Sequence, residues 1–204
     1  MSKAILISIQ PKWVEKILNR EKAIEIRKTM PKCNLPIDVY IYCSKQKPYL
    51  YECYGNAKGD QKLYYFTNDF VLKDECLFNG KVVAKFTLNE TTDLHKMNRY
   101  KATGLVLYKG AMDMGEFYKY GGQYAWHIDN LEIFDMPKEL GEFYKSGFNE
   151  DLDKYKDHYT WGVRFYPEER AMELQNSYDE DINTLRQTWR ISKAPQSWCY
   201  VEVE

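Results

Sequence analysis

Apolar residues near the start of the chain follow two different periods. Residues 5–9 are apolar except for one serine, which predicts a first strand buried on both faces. Pro11 follows directly and suits the first position of a helix. The apolar stripe of that helix consists of Trp13, Val14, Ile17 and Leu18. A strand followed by a short helix is therefore the predicted opening of the fold.

A strict alternation of side chains predicts the second strand over residues 22–28. Ala23, Glu25 and Arg27 share one face, and Ile24 and Ile26 share the other. Glu25 and Arg27 therefore point to the same side.

Further strands and short helices alternate along the rest of the chain. Strands are predicted over residues 39–44, 81–88, 124–128, 131–134 and 198–203, and Asn79-Gly80 predicts a hairpin turn from a strand ending near Phe78. Short helices are predicted over 112–118, from Pro137 to about Tyr144, and up to Asn98 with a cap at Asp93 or the Thr pair before it. This mixture favours an α+β fold over a doubly wound α/β fold.

A long amphipathic helix is predicted over about 167–189. Its apolar residues are spaced by three or four positions and share one face: Ala171, Leu174, Tyr178, Ile182, Leu185 and Trp189. That face needs a partner. Two partners remain open, the rest of the fold or a second copy in a homodimer.

Several classes of function have no support in the sequence. The phosphate-binding motifs GxGxxG and GxxxxGK and the hydrolase motifs GxSxG and HExxH are absent. The five cysteines lack CxxC spacing and the three histidines are scattered, so we expect no metal site and no cofactor. The apolar run at the start is too short for a signal peptide or a membrane span, so we expect a cytoplasmic protein without a membrane partner.

The net charge of −1 conceals an uneven distribution. Residues 1–47 carry ten Lys/Arg against four Asp/Glu, a net of +6, whereas residues 149–184 carry four against ten, a net of −6. Because phosphate contacts come from local basic surface, overall neutrality is compatible with a nucleic-acid ligand.

The beginning of the chain resembles the opening helix and strand of ASCH-domain proteins, which share a β-barrel related to PUA domains. The resemblance rests on the pattern PxxVxxIL at 11–18 with KxIEIRK at 22–28, on VYIYCS at 39–44, on GKVVAKF at 80–86 and on YAWHI at 124–128. The tail APQSWCYVE at 194–202 resembles the closing strand of phage and prophage members. The resemblance implies a small mixed β-barrel flanked by short helices over residues 1–148 plus 193–204. Residues 149–192 form an insertion with the long helix before the last strand.

The same resemblance implies two kinds of function. Many members of the family bind RNA or modified nucleosides. Some small bacterial members hydrolyse N4-acetylcytidine with a Lys, a Thr and a Glu. Lys22 aligns with that Lys, but the Thr position is occupied here by Glu25, and the distant Glu has no assigned counterpart.

The charged residues of the second strand are the candidate site. A Glu25–Arg27 pair on one face would fix the guanidinium for a phosphate or a base edge, with Lys22 at the mouth of the strand and Lys28 beside it. In a purely structural alternative, the pair only orients the strand. For hydrolysis, Lys22 and Glu25 are the candidate catalytic residues.

Other candidate ligand-binding residues lie on neighbouring strands. Ser44 and Lys45 follow a strand end and could contact phosphate. Trp126 and Trp198 could stack on a base or pack in the core, and His127 must point away from Trp126 because strand side chains alternate.

Three functions follow from these observations. The first is a binding module for RNA or a modified nucleoside. The second is an amidohydrolase acting on N4-acetylcytidine or related N4-acylcytidines. The third is a protein–protein adaptor that uses the acidic insertion.

Overall fold

The computed structural model describes residues 2–54, 62–67, 77–110, 117, 124–163 and 168–204. Strands and helices occur in separate runs and most of the described strand pairs are antiparallel, which confirms the α+β class. The strands are β1 (Ser2–Ile9), β2 (Ile24–Arg27), β3 (Ile37–Cys43), β4 (Tyr49–Tyr54), β5 (Lys62–Thr67), β6 (Val82–Leu88), β7 (Thr91–Asp93), β8 (Tyr124–His127), β9 (Asp129–Lys138), β10 (Tyr144–Lys145) and β11 (Trp198–Val203). The helices are α1 (Pro11–Leu18), α2 (Arg99–Lys109), α3 (Phe148–Val163) and α4 (Glu168–Trp189).

The chain divides into two compact units. The larger comprises residues 5–138 and 195–199, and the smaller comprises residues 1–4, 139–194 and 200–204. β1 and β11 each contribute residues to both units.

The main sheet of the larger unit pairs its strands in the order β1-β3-β6-β9. β1 runs parallel to β3, with Ile7 opposite Ile41, and β6 is antiparallel to both of its neighbours. Side chains on both faces of β3 are buried, including Tyr40 and Tyr42. This sheet supplies the centre of the apolar core.

A second sheet of the larger unit, in the order β2-β8-β7, carries the charged strand. Glu25 lies opposite Trp126 in the antiparallel pairing of β2 with β8. α1 begins at Pro11 as predicted and buries Val14, Ile17 and Leu18. β4 and β5 form a separate antiparallel pair.

Two short helices were predicted at the wrong place. Pro137 lies inside β9, and only a 3-10 turn over Leu140–Glu142 follows it. This turn does not continue as a helix, because Tyr144, two residues further on, pairs with Glu202 in a strand ladder. Thr91–Asp93 likewise forms β7 against β8, because a β-branched pair fits a ladder.

The helix that does follow β7 has a different cap. It begins at Arg99, where the side chain of Asn98 accepts a hydrogen bond from the Tyr100 amide at 2.9 Å. The predicted helix over 112–118 lies outside the described residues except for residue 117.

The turn at Asn79-Gly80 is present, but it does not join hairpin partners in the described part of the chain. Gly80 has φ of +89°, a conformation that favours glycine. Leu77 before the turn bridges to Tyr51, whereas β6 after it pairs with β3 and β9.

The smaller unit contains the long helix predicted from its apolar spacing. Ile182, Leu185 and Trp189 of α4 pack against a buried cluster of Tyr144, Phe148 and Leu152. A fourth residue of the predicted apolar stripe, Tyr178, stacks on Tyr155 of α3, so at least four of its six residues contact side chains of the same unit. A homodimer through this helix stays a prediction.

Among the described helices, none is both long enough and apolar enough to traverse a lipid bilayer.

Candidate functional site

A cavity of about 220 Å³ lies beside β2 in the larger unit. Four segments meet there: the end of β1, the start of α1, β2 and the residues just before β11. The wall consists of Ser8, Ile9, Gln10, Trp13, Glu25, Ile26, Arg27 and Gln196. The charged face of β2 that the alternation predicted therefore borders an open space.

Glu25 belongs to the cavity wall and lies between two cations, Lys22 and Arg27. Its Oε1 is 3.2 Å from Arg27 Nη2, and its Oε2 is 3.4 Å from Lys22 Nζ. Glu25 is only 6% exposed, so both ion pairs are shielded from solvent. Burying a charge is costly unless it is paired, and these two cations pair the carboxylate of Glu25.

Lys22 supports Glu25 without lining the cavity. It is 2% exposed, and its Nζ donates a hydrogen bond to the carbonyl oxygen of Gly110 at 3.1 Å. The same Nζ lies 5.4 Å from the centre of the Trp13 ring. Burial lowers the pKa of Lys22, and the charge of Glu25 opposes part of that effect.

Arg27 is held by backbone and side-chain oxygens from two distant parts of the chain. Its Nη2 donates to the carbonyl oxygen of Ser8 at 2.7 Å, and its Nη1 donates to Ser197 Oγ at 3.3 Å. With the Glu25 pair, these contacts fix the plane of the guanidinium.

Two side-chain atoms of wall residues are buried without a hydrogen-bond partner among the described residues, Ser8 Oγ and Arg27 Nε. Glu25 Oε2 is also buried, and its partner is the charge of Lys22. A buried polar atom left unsatisfied costs about 1–3 kcal/mol. Buried polar groups in proteins are normally paired with protein atoms or ordered water.

Six of the eight wall residues were not recognised as such from the sequence: Ser8, Ile9, Gln10, Trp13, Ile26 and Gln196. Trp13 was assigned to the apolar stripe of α1, yet it is half-buried, whereas Val14 and Ile17 are fully buried. Gln10 and Gln196 each adjoin a proline, Pro11 and Pro195 respectively, and no sequence signal distinguishes them from loop residues.

Three of the predicted phosphate-binding residues lie away from the wall. Lys28 is exposed at the end of the charged strand. Ser44 has a buried hydroxyl at the end of β3, and the stem of Lys45 passes over Gly80. None of the three lines the cavity.

The two predicted tryptophans, Trp126 and Trp198, contact each other and share a hydrogen-bond acceptor residue. Trp126 is fully buried and packs edge-on against Trp198 with ring centres 5.5 Å apart. Both indole N–H groups donate to Thr29, from Trp126 to its carbonyl oxygen and from Trp198 to its Oγ1, each at 3.1 Å.

His127 points away from the core, as the alternation with Trp126 requires. Its Nε2 lies 2.8 Å from Thr92 Oγ1, and its Nδ1 lies 3.5 Å from Glu90 Oε1. These contacts tie β8 to its neighbours and do not reach the cavity.

No group of three or more His, Cys, Asp or Glu residues is placed to hold a metal ion in the part of the chain that the structure describes. Cys43 is buried, and burial raises the pKa of its thiol. It is therefore a poor candidate for a nucleophile.

No protein-family model and no curated protein matches the sequence. The structure has a distant likeness to the crystal structure of ASCH from Zymomonas mobilis, with a TM-score of 0.47 and 12% identity over 98% of this chain and 87% of that chain. A Ser-to-Ala mutant of the same protein gives a TM-score of 0.44 at 12% identity, over 98% of this chain and 88% of that chain. A Tyr-to-Phe mutant gives 0.39 at 15% identity, over 68% of this chain and 77% of that chain. Likeness at this level identifies no ligand.

Proposed function

We propose that this protein binds an unpaired base of RNA, or a modified nucleoside, in the cavity beside β2. The observation that carries the proposal is the fixed pair of Glu25 and Arg27 in the wall of the cavity. A ligand with matching donors and acceptors would form charge-assisted hydrogen bonds with this pair, which are stronger than neutral ones.

The size of the cavity favours a single heterocycle. Pockets for drug-sized ligands span roughly 300–1,000 Å³, and this cavity has about 220 Å³. One base would fill it, and the sugar and phosphate would remain outside.

The wall offers the chemistry that distinguishes a base from an apolar ring. Glu25 is an acceptor for an exocyclic amino group, and Arg27 donates in a fixed plane to ring nitrogens and carbonyl oxygens. Trp13 supplies an aromatic surface on which a base can stack. The excess of cations in residues 1–47 provides an attractive field for the phosphates.

A fluorescence anisotropy titration with a labelled eight-nucleotide single-stranded RNA tests the proposal, with Arg27→Gln as the variant. Arg20→Gln removes the same charge from an exposed residue that does not line the cavity and is the matched control. We expect Arg27→Gln to weaken binding at least tenfold and Arg20→Gln to weaken it no more than twofold to threefold. Equal losses in the two variants would reduce the role of Arg27 to non-specific charge.

A second candidate function is hydrolysis of an N4-acylcytidine, favoured by the contact between Lys22 and Glu25. These are the two residues predicted to be catalytic, and their charged groups lie 3.4 Å apart. In this reaction water adds to the acyl carbon and the C–N bond breaks, releasing a carboxylate and the free amine of cytidine. Glu25, which lines the cavity, would take the proton from water. Lys22 would hold the carboxylate of Glu25 in position.

Incubation with N4-acetylcytidine followed by chromatography tests this second function. Turnover by the wild type that is lost in Glu25→Gln would establish the enzyme. Absence of cytidine after long incubation, with binding retained, would leave the binding function alone.

A further inference from the structure

The outward face of α2 carries large side chains that the fold does not use. Tyr100 is 87% exposed, Tyr108 is 85% exposed and Leu107 is 42% exposed. At 100° per residue these positions fall on one side of the helix, with Gly104 between them. The opposite side, including Ala102 and Val106, packs in the core with Ile24 and Ala125.

Gly104 leaves the space between the two tyrosines open. A Cβ built on it would have no heavy atom within 4 Å. Glycine costs helix stability relative to alanine, by about 0.5–1 kcal/mol. Its presence leaves a flat strip of backbone between two exposed rings.

One exposed cation lies beside the rings on this face. At 100° per residue Lys101 is about 20° from Tyr108 around the helix, and it is exposed. Residues 99–110 contain no Asp or Glu. Lys109 is also exposed, but it lies on the side of the helix that carries Ala102. Aromatic rings beside a cation, without acidic residues, make a surface complementary to a polyanion with stacking groups.

The C-terminal end of α2 is bonded to the charged strand. The carbonyl oxygen of Lys109 accepts a hydrogen bond from the Ala23 amide at 2.7 Å, and that of Gly110 accepts one from Lys22 Nζ. Tyr108 therefore lies at the end of the helix that adjoins β2, which carries Glu25 and Arg27.

We propose that the outward face of α2 binds single-stranded nucleic acid, with bases stacked on Tyr100 and Tyr108 and a phosphate contacted by Lys101. This second surface takes nucleotides outside the cavity and does not depend on the cavity's being occupied. The two tyrosines are eight positions apart, about 12 Å along the helix axis. A stacked strand advances about 3.4 Å per nucleotide, so the two rings span about three to four nucleotides.

A protein partner fits this face less well. Protein interfaces place a contiguous apolar cluster at the centre, depleted of charged residues. Within α2, which the structure describes throughout, Leu107 is the one exposed aliphatic side chain. Stacking on separate rings does not require such a cluster.

A length series of oligouridines tests the proposal, with binding measured for uridine monophosphate and for two-, four- and eight-nucleotide RNA. We expect the wild type to bind the four- and eight-nucleotide RNAs more tightly than the two-nucleotide RNA. The double variant Tyr100→Ala/Tyr108→Ala should lose that increase, about fivefold or more for each ring removed. The exposed tyrosines make little packing with the core, and circular dichroism checks that the variant keeps its fold.

The matched control is Tyr100→Phe/Tyr108→Phe, which keeps both rings and should bind eight-nucleotide RNA within about threefold of the wild type. Lys101→Gln should reduce the slope of log affinity against log salt by about 0.7, the value for one phosphate that is no longer neutralised. A single-stranded DNA oligonucleotide of eight nucleotides, measured in parallel, distinguishes a general single-strand site from an RNA-specific one.

Two results would overturn the proposal. One is equal affinity of the alanine double variant and the wild type for the eight-nucleotide RNA. The other is that the affinity of the wild type does not depend on RNA length, which would favour a protein as the partner of this face. Failure of the cavity proposal is seen separately, as an unchanged affinity of Arg27→Gln for the same RNA.

Discussion

Arg27 and Glu25 lie on one face of β2, two positions apart, with Arg27 Nη2 3.2 Å from Glu25 Oε1. Both side chains line the same cavity. The pair therefore has two roles that need not conflict. It neutralises a buried carboxylate, and it presents a fixed guanidinium and an acceptor to whatever enters.

Replacing Arg27 by lysine tests whether the shape of the guanidinium is needed. An ammonium keeps the charge but cannot contact Ser8 O, Ser197 Oγ and Glu25 Oε1 in one plane. We expect Arg27→Lys to weaken RNA binding about tenfold and to cost about 1–2 kcal/mol of unfolding free energy. Lys28→Arg, a reciprocal change at the exposed neighbouring residue, should do neither. Calorimetric titration and urea denaturation provide the two measurements.

Lys22 should make the free energy of unfolding depend on pH in the alkaline range. Because burial lowers its pKa, the unfolded chain binds one more proton than the folded protein between that lowered value and the usual 10.5. The free energy of unfolding should therefore rise with pH across that interval, by at most about 1.4 kcal/mol per pH unit. Lys22→Met cannot show this increase. Urea denaturation of both proteins from neutral pH to pH 10.5 measures the difference, and parallel curves would contradict the assignment.

Thr29 should contribute to stability through its hydroxyl. Its Oγ1 accepts the indole N–H of Trp198, while its carbonyl oxygen accepts that of Trp126. Thr29→Val removes only the first bond and should lower the free energy of unfolding by about 0.5–1.5 kcal/mol. Thr29→Ser keeps the hydroxyl and should be close to the wild type. Denaturation followed by tryptophan fluorescence compares them, and equal losses would assign the effect to the missing methyl group or the changed shape.

Glu202 should anchor the start of α3 within the smaller unit. Its Oε1 accepts the Gly147 amide at 2.8 Å, its Oε2 accepts the Asn149 amide at 2.6 Å, and the residue is 6% exposed. A carboxylate at a helix N-terminus also interacts favourably with the helix dipole. We expect Glu202→Gln to lose about 1–2 kcal/mol.

The control for Glu202 is Glu180→Gln, which removes an exposed acid of α4 in the same unit. It should change the free energy of unfolding by less than about 0.5 kcal/mol. Urea denaturation compares the two variants. If both lose the same amount, the charge of the unit, and not the anchoring bonds, is responsible.

Elements with strong local signals could be predicted from the sequence. Pro11 marks the start of α1, the alternation of Glu25 and Arg27 marks the charged face of β2, and β11 was placed at residues 198–203. The apolar spacing over about 167–189 likewise corresponds to α4. Each signal lies within a short window and needs no distant partner.

The errors occurred where distant residues decide the local structure. Tyr144 is extended because it pairs with Glu202, and Thr92 is extended because it pairs with Ala125. Neither partner can be seen in the local pattern.

The candidate site divides in the same way. The Glu25–Arg27 pair was predicted, since both residues belong to one strand. Trp13, Gln10 and Gln196 were not, because a wall exists only where segments far apart in sequence converge. The bond from Arg27 to Ser197 Oγ, for example, joins residues 170 positions apart.

A nuclear magnetic resonance titration of backbone amides with single nucleosides tests the central claim most directly. Cytidine, uridine and N4-acetylcytidine are the probes, because each presents one base without a phosphate chain. If a base enters the cavity, the largest shift changes will fall on Gln10, Trp13, Glu25 and Arg27, and Trp13→Ala will abolish them. If the nucleosides leave these four amides unchanged, or shift them equally in Trp13→Ala, a base does not bind in this cavity.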